Sequence, residues 1–265
     1  MVERFADWIG RSMEVADTVT EGPIQRLAAT LDTDGAHWPK DAVPPLGHWL
    51  FGLPDAPQSS LGPDGHPARS GFFPPIDQPR RMWAGGRVQF LAPIAFGAAF
   101  RRRTTIHSIE EKQGGAMTLL TLLHEVFADD LLAVREEQDL VYLPITAPVP
   151  PRAVERPAPE TSRALTSDST LLFRYSALTF NAHRIHYDPQ YSREVELYPG
   201  LVVHGPLQAT LLIDHALRDG LTPTRFDYRA RSPLYAGERF AVVRAAGELW
   251  VAKDDGTVTM TATVA

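Results

Sequence analysis

The sequence predicts an α+β fold built from two similar halves. Three observations lead there. A long apolar helical run, His204 to Leu217, is followed by three strand-like runs, Arg225–Arg231, Arg239–Trp250 and Thr257–Val264. A shorter helical stretch near the N-terminus is followed by four more strand-like runs. A proline-rich segment separates the two series. Antiparallel strands that follow one helix wrap their sheet around it.

In the first half, Ile9 to Val19 reads as a strand. Thr20-Glu21-Gly22-Pro23 then opens a helix to about Leu31, since proline suits the first turn. Leu46 to Leu53 reads as the stub of a second helix. Pro54 to Pro79 is rich in glycine and proline, and a structureless loop of that length is functional or disordered. Strands follow at Gly86–Leu91, Ala98–Glu111, Ala116–Ala128 and Leu131–Leu143. Gly114-Gly115 and Asp129-Asp130 supply the hairpin turns.

Ile145 to Pro159 favours extended polyproline structure and reads as a linker. The expected organisation is therefore residues 1–145, a linker at 146–165, and a second half at 166–265. In that half, Leu171 to Tyr175 is a short strand or the approach to a helix, and Asn181–Asp188 is a polar loop entering a turn. The helix carries Leu207, Leu211, Leu212 and Ala216 on one face and ends at Gly220. Pro233, Gly237 and Asp254-Asp255-Gly256 mark the later turns.

The chain has 265 residues and is 44% hydrophobic, which permits a packed core. Its net charge of -6 argues against nucleic acid as a partner, because phosphate binding needs a basic surface. With no cysteine there is no disulfide and no thiolate chemistry. No apolar run reaches membrane-spanning length, and Met1 to Trp8 lacks a signal-peptide core. A cytoplasmic location is the expectation.

Chemistry concentrates in Asn181-Ala182-His183-Arg184-Ile185-His186-Tyr187-Asp188 and in His204-Gly205-Pro206 downstream. A carboxamide and imidazoles beside a helix N-terminus suit polarising a carbonyl and moving a proton next to it. Each residue has a plainer reading. His183 and His186 have metal-pair spacing, with Asp188 as a third ligand. His204 packs a helix start or orients a ligand. Arg184 forms a structural ion pair or clamps a carboxylate, for which a planar guanidinium is suited. Tyr187, Asp188 and His124 read as structural. Phe72-Phe73-Pro74-Pro75 buries an acyl group or packs between the halves.

These motifs resemble the MaoC-like hydratase/dehydratase family of hot-dog folds. The branch resembled holds type 2 hydroxyacyl-thioester dehydratases and mesaconyl-CoA or itaconyl-CoA hydratases. Pro79-Arg80-Arg81-Met82-Trp83-Ala84-Gly85-Gly86-Arg87, Gly62-Pro63-Asp64-Gly65-His66-Pro67 and Arg103-Thr104-Thr105-Ile106 carry the same resemblance. It implies a double hot-dog, two curled sheets each around a central helix and packed as a pseudo-dimer, with the second half catalytic. It implies a hydro-lyase on acyl-CoA, without a metal and with no cofactor beyond the coenzyme A of the substrate. His186 is then the base, Asn181 stands where most of the family has Asp and holds water, and the Gly205 N–H meets the thioester oxygen. Expected substrate contacts are Arg184, His183, His204 and Arg174, and expected coenzyme A contacts are Arg80, Arg81, Arg229 and Arg231. The favoured substrate is a short branched dicarboxylic enoyl-CoA. The rivals are a longer-chain 3-hydroxyacyl-thioester dehydratase, a thioesterase, and a non-catalytic thioester-binding subunit. A homodimer is among the expected assemblies.

Overall fold

The computed structural model describes residues 4–68, 71–149 and 156–265. Residues 150–155 of the expected linker, 69–70 of the long loop and 1–3 of the N-terminus lie outside the described residues.

Alternating apolar residues with turn formers between them produce ten strands in one antiparallel sheet. They are β1 (Ser12–Thr18), β2 (Arg80–Phe90), β3 (Ala99–Lys112), β4 (Met117–Ala128) and β5 (Leu131–Leu143), then β6 (Thr161–Thr166), β7 (Arg225–Ala230), β8 (Arg239–Ala245), β9 (Glu248–Lys253) and β10 (Val258–Val264). Their order is β1-β3-β4-β5-β2-β7-β10-β9-β8-β6. Counted outward from the centre, one side runs β2-β5-β4-β3-β1 and the other β7-β10-β9-β8-β6, which is the same topology twice. The two series meet where β2 pairs with β7, from Gly85 opposite Arg229 to Gln89 opposite Arg225.

Helix α4 (Gly205–Arg218) lies in the curl of β7 to β10. Residues 207–216 are all buried, as expected of a helix enclosed by its sheet. Leu207, Leu212 and Ala216 are fully buried against Phe226, Val242, Val251 and Met260. The first half has no helix of this length. Helix α1 (Glu21–Thr30) and a 3-10 turn at Gly47–Leu50 take the corresponding place, so the expected second helix at Leu46–Leu53 is a single turn.

Three expectations are corrected. Arg239–Trp250 is two strands, β8 and β9, joined at Ala246 and Gly247, both at positive φ. Alanine rarely adopts that conformation, so Gly247 is the one turn signal the sequence carries there. Leu171 to Tyr175 lies inside helix α2 (Ser169–Leu178), whose start is capped by Asp168 accepting the Leu171 N–H at 2.8 Å. The edge strand β6 begins within the segment read as linker and pairs with β8. Among the described residues no helix is long and apolar enough to cross a membrane.

Candidate active site

Four histidines gather at the start of α4. Asn181 begins the arrangement. Its Oδ1 accepts the His183 N–H at 3.0 Å, a local turn that holds the loop after α2. A 3-10 turn at Arg184–His186 then carries His186 inward. The His186 Nδ1 lies 2.7 Å from the Val202 carbonyl oxygen. A carbonyl only accepts, so Nδ1 carries the proton and the Nε2 lone pair is left available. Val202 is itself fixed, because its N–H donates to the Ile185 carbonyl at 2.9 Å.

His204 precedes α4 and is completely buried. Its Nε2 is 2.8 Å from the Ser176 Oγ, while its Nδ1 is buried without a partner among the described residues. The His204 and His186 rings stack at 3.6 Å between centroids. His183 meets His186 edge-on at 5.4 Å. Burial drives the His186 pKa down to about 4 against the opposing hydrogen bond to Val202, and His66 nearby adds to the fall. Burial, then neighbouring imidazoles, push His183 and His204 well below the ordinary histidine value. All three are therefore neutral at neutral pH.

No side chain caps α4, and Pro206 supplies no N–H. The Gly205 N–H makes no hydrogen bond among the described residues. Glycine is required at 205 by a close approach: a Cβ there would stand 2.6 Å from the Trp83 Cε3. Trp83 comes from β2, so the first half lays an indole against the start of α4. Its Nε1 is buried without a partner among the described residues. Trp83 stacks on Tyr228 at 4.5 Å and meets Trp49 edge-on at 5.7 Å. Buried Glu136 fixes this aromatic wall, accepting from the Trp49 Nε1 at 2.9 Å and the Tyr228 hydroxyl at 3.4 Å. His48 joins the same carboxylate at 3.0 Å, so it anchors the wall as well.

Sequence reasoning missed Asp64 and His66 as site residues. The long loop folds back on itself through a Gly62 N–H to His66 carbonyl bond of 2.7 Å. It lies on the histidine segment, where the Arg184 N–H donates to the Asp64 carbonyl at 2.9 Å. Gly65, at φ +87°, permits this contact, since a Cβ would overlap the Ala182 carbonyl oxygen. His66 Nδ1 is 3.0 Å from the Asp64 Oδ2, and its ring lies 4.2 Å from that of His183. Burial would raise the Asp64 carboxyl. Hydrogen bonds from His66, with Arg81 near, overcome this and hold it at about 2. Asp64, His66 and His183 also bring one potential metal-ligating atom each within 4.8 Å of one another. The available signal was a histidine among turn formers in a loop too long to be idle.

Several expected contacts fall elsewhere. Arg184 is committed to Asp188 at 2.7 Å and to the Pro63 carbonyl at 3.0 Å, and it lies over the Tyr191 ring, so it offers no open carboxylate clamp. Asp188 caps helix α3 (Pro189–Glu194) by accepting the Tyr191 N–H at 3.0 Å, which removes it as a third metal ligand. Arg174 is exposed on α2 and donates to the Ala29 carbonyl at 3.3 Å, away from the histidines. Arg80 is buried, with Nε 2.9 Å from Glu196, a second bond to the Glu196 carbonyl and one to Thr146 at 2.8 Å. It cannot meet a phosphate. Arg229 is exposed on the outer side of β7, and Arg231 next to it donates to the Thr261 hydroxyl at 3.0 Å. Arg81 is half-buried and lies over the Phe73 ring. Phe72 and Phe73 pack with Ile76, Ile106 and Trp83, all of the first half, rather than between halves. Tyr187 donates to the Ala182 carbonyl and His124 sits beside the Thr104 hydroxyl, each in a structural contact.

The fold is thus one strand order used twice, with an enclosed helix that starts at a buried imidazole. The family model for hydroxyacyl-thioester dehydratase type 2 matches residues 46–236. The chain is 46% identical over 235 residues to a mesaconyl-C(4)-CoA hydratase of Chloroflexus aurantiacus, covering 86% of this chain and 84% of that one. It is 25% identical to the mitochondrial hydroxyacyl-thioester dehydratase type 2 of Schizosaccharomyces pombe, over 89% and 91% of the two chains. In fold it resembles a MaoC-like dehydratase from Phytophthora capsici, with a TM-score of 0.71 at 16% identity over 96% and 95% of the chains. A Mycobacterium tuberculosis protein with a double hotdog fold superposes with a TM-score of 0.56 at 13% identity over 97% and 96%. The chain belongs to the hydroxyacyl-thioester dehydratase type 2 family of MaoC-like, double hot-dog hydro-lyases.

Proposed function

We propose that the protein reversibly adds water across the double bond of a short, branched, dicarboxylic enoyl-CoA of the mesaconyl or itaconyl type, giving citramalyl-CoA. The observation that carries the chemistry is His186: neutral, buried, with Nδ1 locked on Val202 and Nε2 left to act. Water would lose its proton to Nε2 as its oxygen attacks the β-carbon. Asn181 would hold that water through its amide nitrogen, since its oxygen is engaged by His183. The negative charge growing on the thioester oxygen would be met by the Gly205 N–H and the positive end of α4. The imidazolium of His186 would then return a proton to the α-carbon, because Asn181 cannot titrate. The Asp64–His66 pair would keep a carboxylate behind the histidines without placing it on the substrate.

The relative from Chloroflexus aurantiacus supports the choice of substrate. The wall of Trp83, Tyr228 and Trp49 beside Gly205 favours a short acyl chain over the longer chains of fatty acid synthesis. Arg229 and Arg231 are the candidates for the coenzyme A phosphates. Action in the cytoplasm, without a metal, and association of two chains belong to the same proposal.

The test is to offer mesaconyl-CoA and itaconyl-CoA beside crotonyl-CoA and octenoyl-CoA, reading absorbance and mass. Gain of one water on the dicarboxylic pair supports the reading. Hydration of the straight chains alone would move the protein to the fatty-acyl dehydratases. Release of free coenzyme A would make it a thioesterase. Binding without turnover would make it a carrier subunit.

A further inference from the structure

We propose that Arg81 is the site for the second carboxylate of the substrate. The inference rests on the hydratase reading above and adds the residue that sets its specificity. Arg81 lies on β2 two residues before Trp83. Side chains at that spacing share one face of a strand, and the pairing shift in β2 falls after Trp83. Trp83 lies against Gly205, so Arg81 is on the acyl side of the sheet. The guanidinium sits over Phe73, 5.7 Å from its ring centre, and Phe73 packs in the cluster that includes Trp83. It is close enough to Asp64 and His183 to act on the charge of both.

What separates Arg81 from its neighbours is the lack of a direct ion pair, since Asp64 lies near enough to feel its charge but is bonded to His66. Arg80 is bonded to Glu196, Arg87 to Glu137 and Asp139, and Arg184 to Asp188. Among the described residues the Arg81 guanidinium makes no ion pair or side-chain hydrogen bond, and its ring contact is with Phe73. A half-buried guanidinium in this state has lost water without gaining an acceptor. A carboxylate would complete it, since the planar fork takes two oxygens at once. Arg81 stands with the histidines at the reacting end, where a carboxylate on the β-carbon would lie. The nucleotide of coenzyme A is at the other end of the substrate.

The test compares Arg81→Gln and Arg81→Lys with the unmodified protein, reading the ratio of kcat/KM for mesaconyl-CoA to that for crotonyl-CoA. Removing one member of a desolvated charge pair lowers this ratio by on the order of 10²–10³ in Arg81→Gln. Arg81→Lys, which keeps charge without the fork, falls between. An unchanged ratio, whether both substrates lose equally or neither does, overturns the proposal. Equal loss would place Arg81 on the coenzyme A portion shared by both. Binding of succinyl-CoA against butyryl-CoA, neither of which can be hydrated, gives the same ratio without turnover. A succinyl preference that vanishes in Arg81→Gln keeps the carboxylate site even if the hydratase reading fails. If Arg81→Gln does not fold, Arg81→Lys carries the test by the same two ratios.

Discussion

The imidazoles of His186 and His204 are stacked 3.6 Å apart with their planes 19° from parallel. Two rings at this distance cannot both carry charge without strong repulsion. Burial keeps both rings in the neutral form that a base acting on water requires, and His186 adds to the fall at His204. His204 in this view is a positioning residue, fixed by Ser176 on one side and lying on His186 on the other.

The first prediction concerns the acid limb of the rate profile. A base must be unprotonated, so kcat/KM falls as pH drops through the pKa of His186. That limb is expected near 4, below the ordinary histidine value of 6.5. A limb close to 6.5 would show that an exposed histidine is the base. Measurement needs only the pH dependence of initial rates across the range where the fold persists.

The same burial makes stability depend on pH. His186 titrates near 4 when folded and near 6.5 when the chain is unfolded. Between those values the unfolded chain binds more protons, so acid favours unfolding. The stabilisation is complete above 6.5 and is lost as pH falls towards 4. For His186 the loss is on the order of 3 kcal/mol, and His183 and His204 shift in the same direction. Denaturant melts at pH 7.5, 6 and 5 should show a falling midpoint. A midpoint that holds steady or rises would mean these rings are already solvated.

Gly205→Ala is expected to remove most activity. The new methyl would collide with Trp83, which Tyr228 and Trp49 hold in place. Overpacking of this kind costs about 1–3 kcal/mol in stability. Moving the helix start away from the thioester oxygen costs about 10²–10³ in kcat, as for any lost oxyanion donor. Thermal melting together with kcat separates the two effects. Full activity in a folded Gly205→Ala protein would exclude the Gly205 N–H as the donor.

Asn181→Asp keeps the turn onto the His183 N–H but brings a negative charge to the neutral rings. An anion favours the protonated imidazole, so the acid limb of the rate should move to higher pH. The substitution also replaces the amide donor to water with an acceptor, which lowers the plateau rate. An acid limb that stays in place would mean Asn181 does not face His186.

The strands were legible because their ends are chemically marked. Asp129 and Asp130 both take positive φ, and β4 and β5 start and stop around them. The enclosed helix was legible from Leu207, Leu211, Leu212 and Ala216. The β8–β9 turn was not, because Ala246 takes its conformation from the strands on either side. In the site, His183, His186 and His204 are in ring contact just before Gly205, and Asn181 holds the loop through the His183 N–H. Asp64, His66 and Trp83 arrive from far along the chain, which no local pattern records. Of the two readings of Arg184, the structural ion pair is the one formed, with Asp188 four residues on, a spacing that commonly pairs opposite charges. Arg80 and Arg81 looked alike in sequence. A strand turns neighbours to opposite faces, and one found Glu196 while the other lies over Phe73.

The seam between β2 and β7 lies within one chain, and this has an evolutionary consequence. In an assembly of identical subunits every change at the seam would appear twice, once on each side of the axis. Here it appears once. Gly85 and Gly86 on β2 can stay small to admit Tyr228, while β7 keeps the larger residues opposite them. One strand is thus free to supply Trp83 while its mirror partner supplies Tyr228, and selection can change either side of the stack without repeating the change on the other.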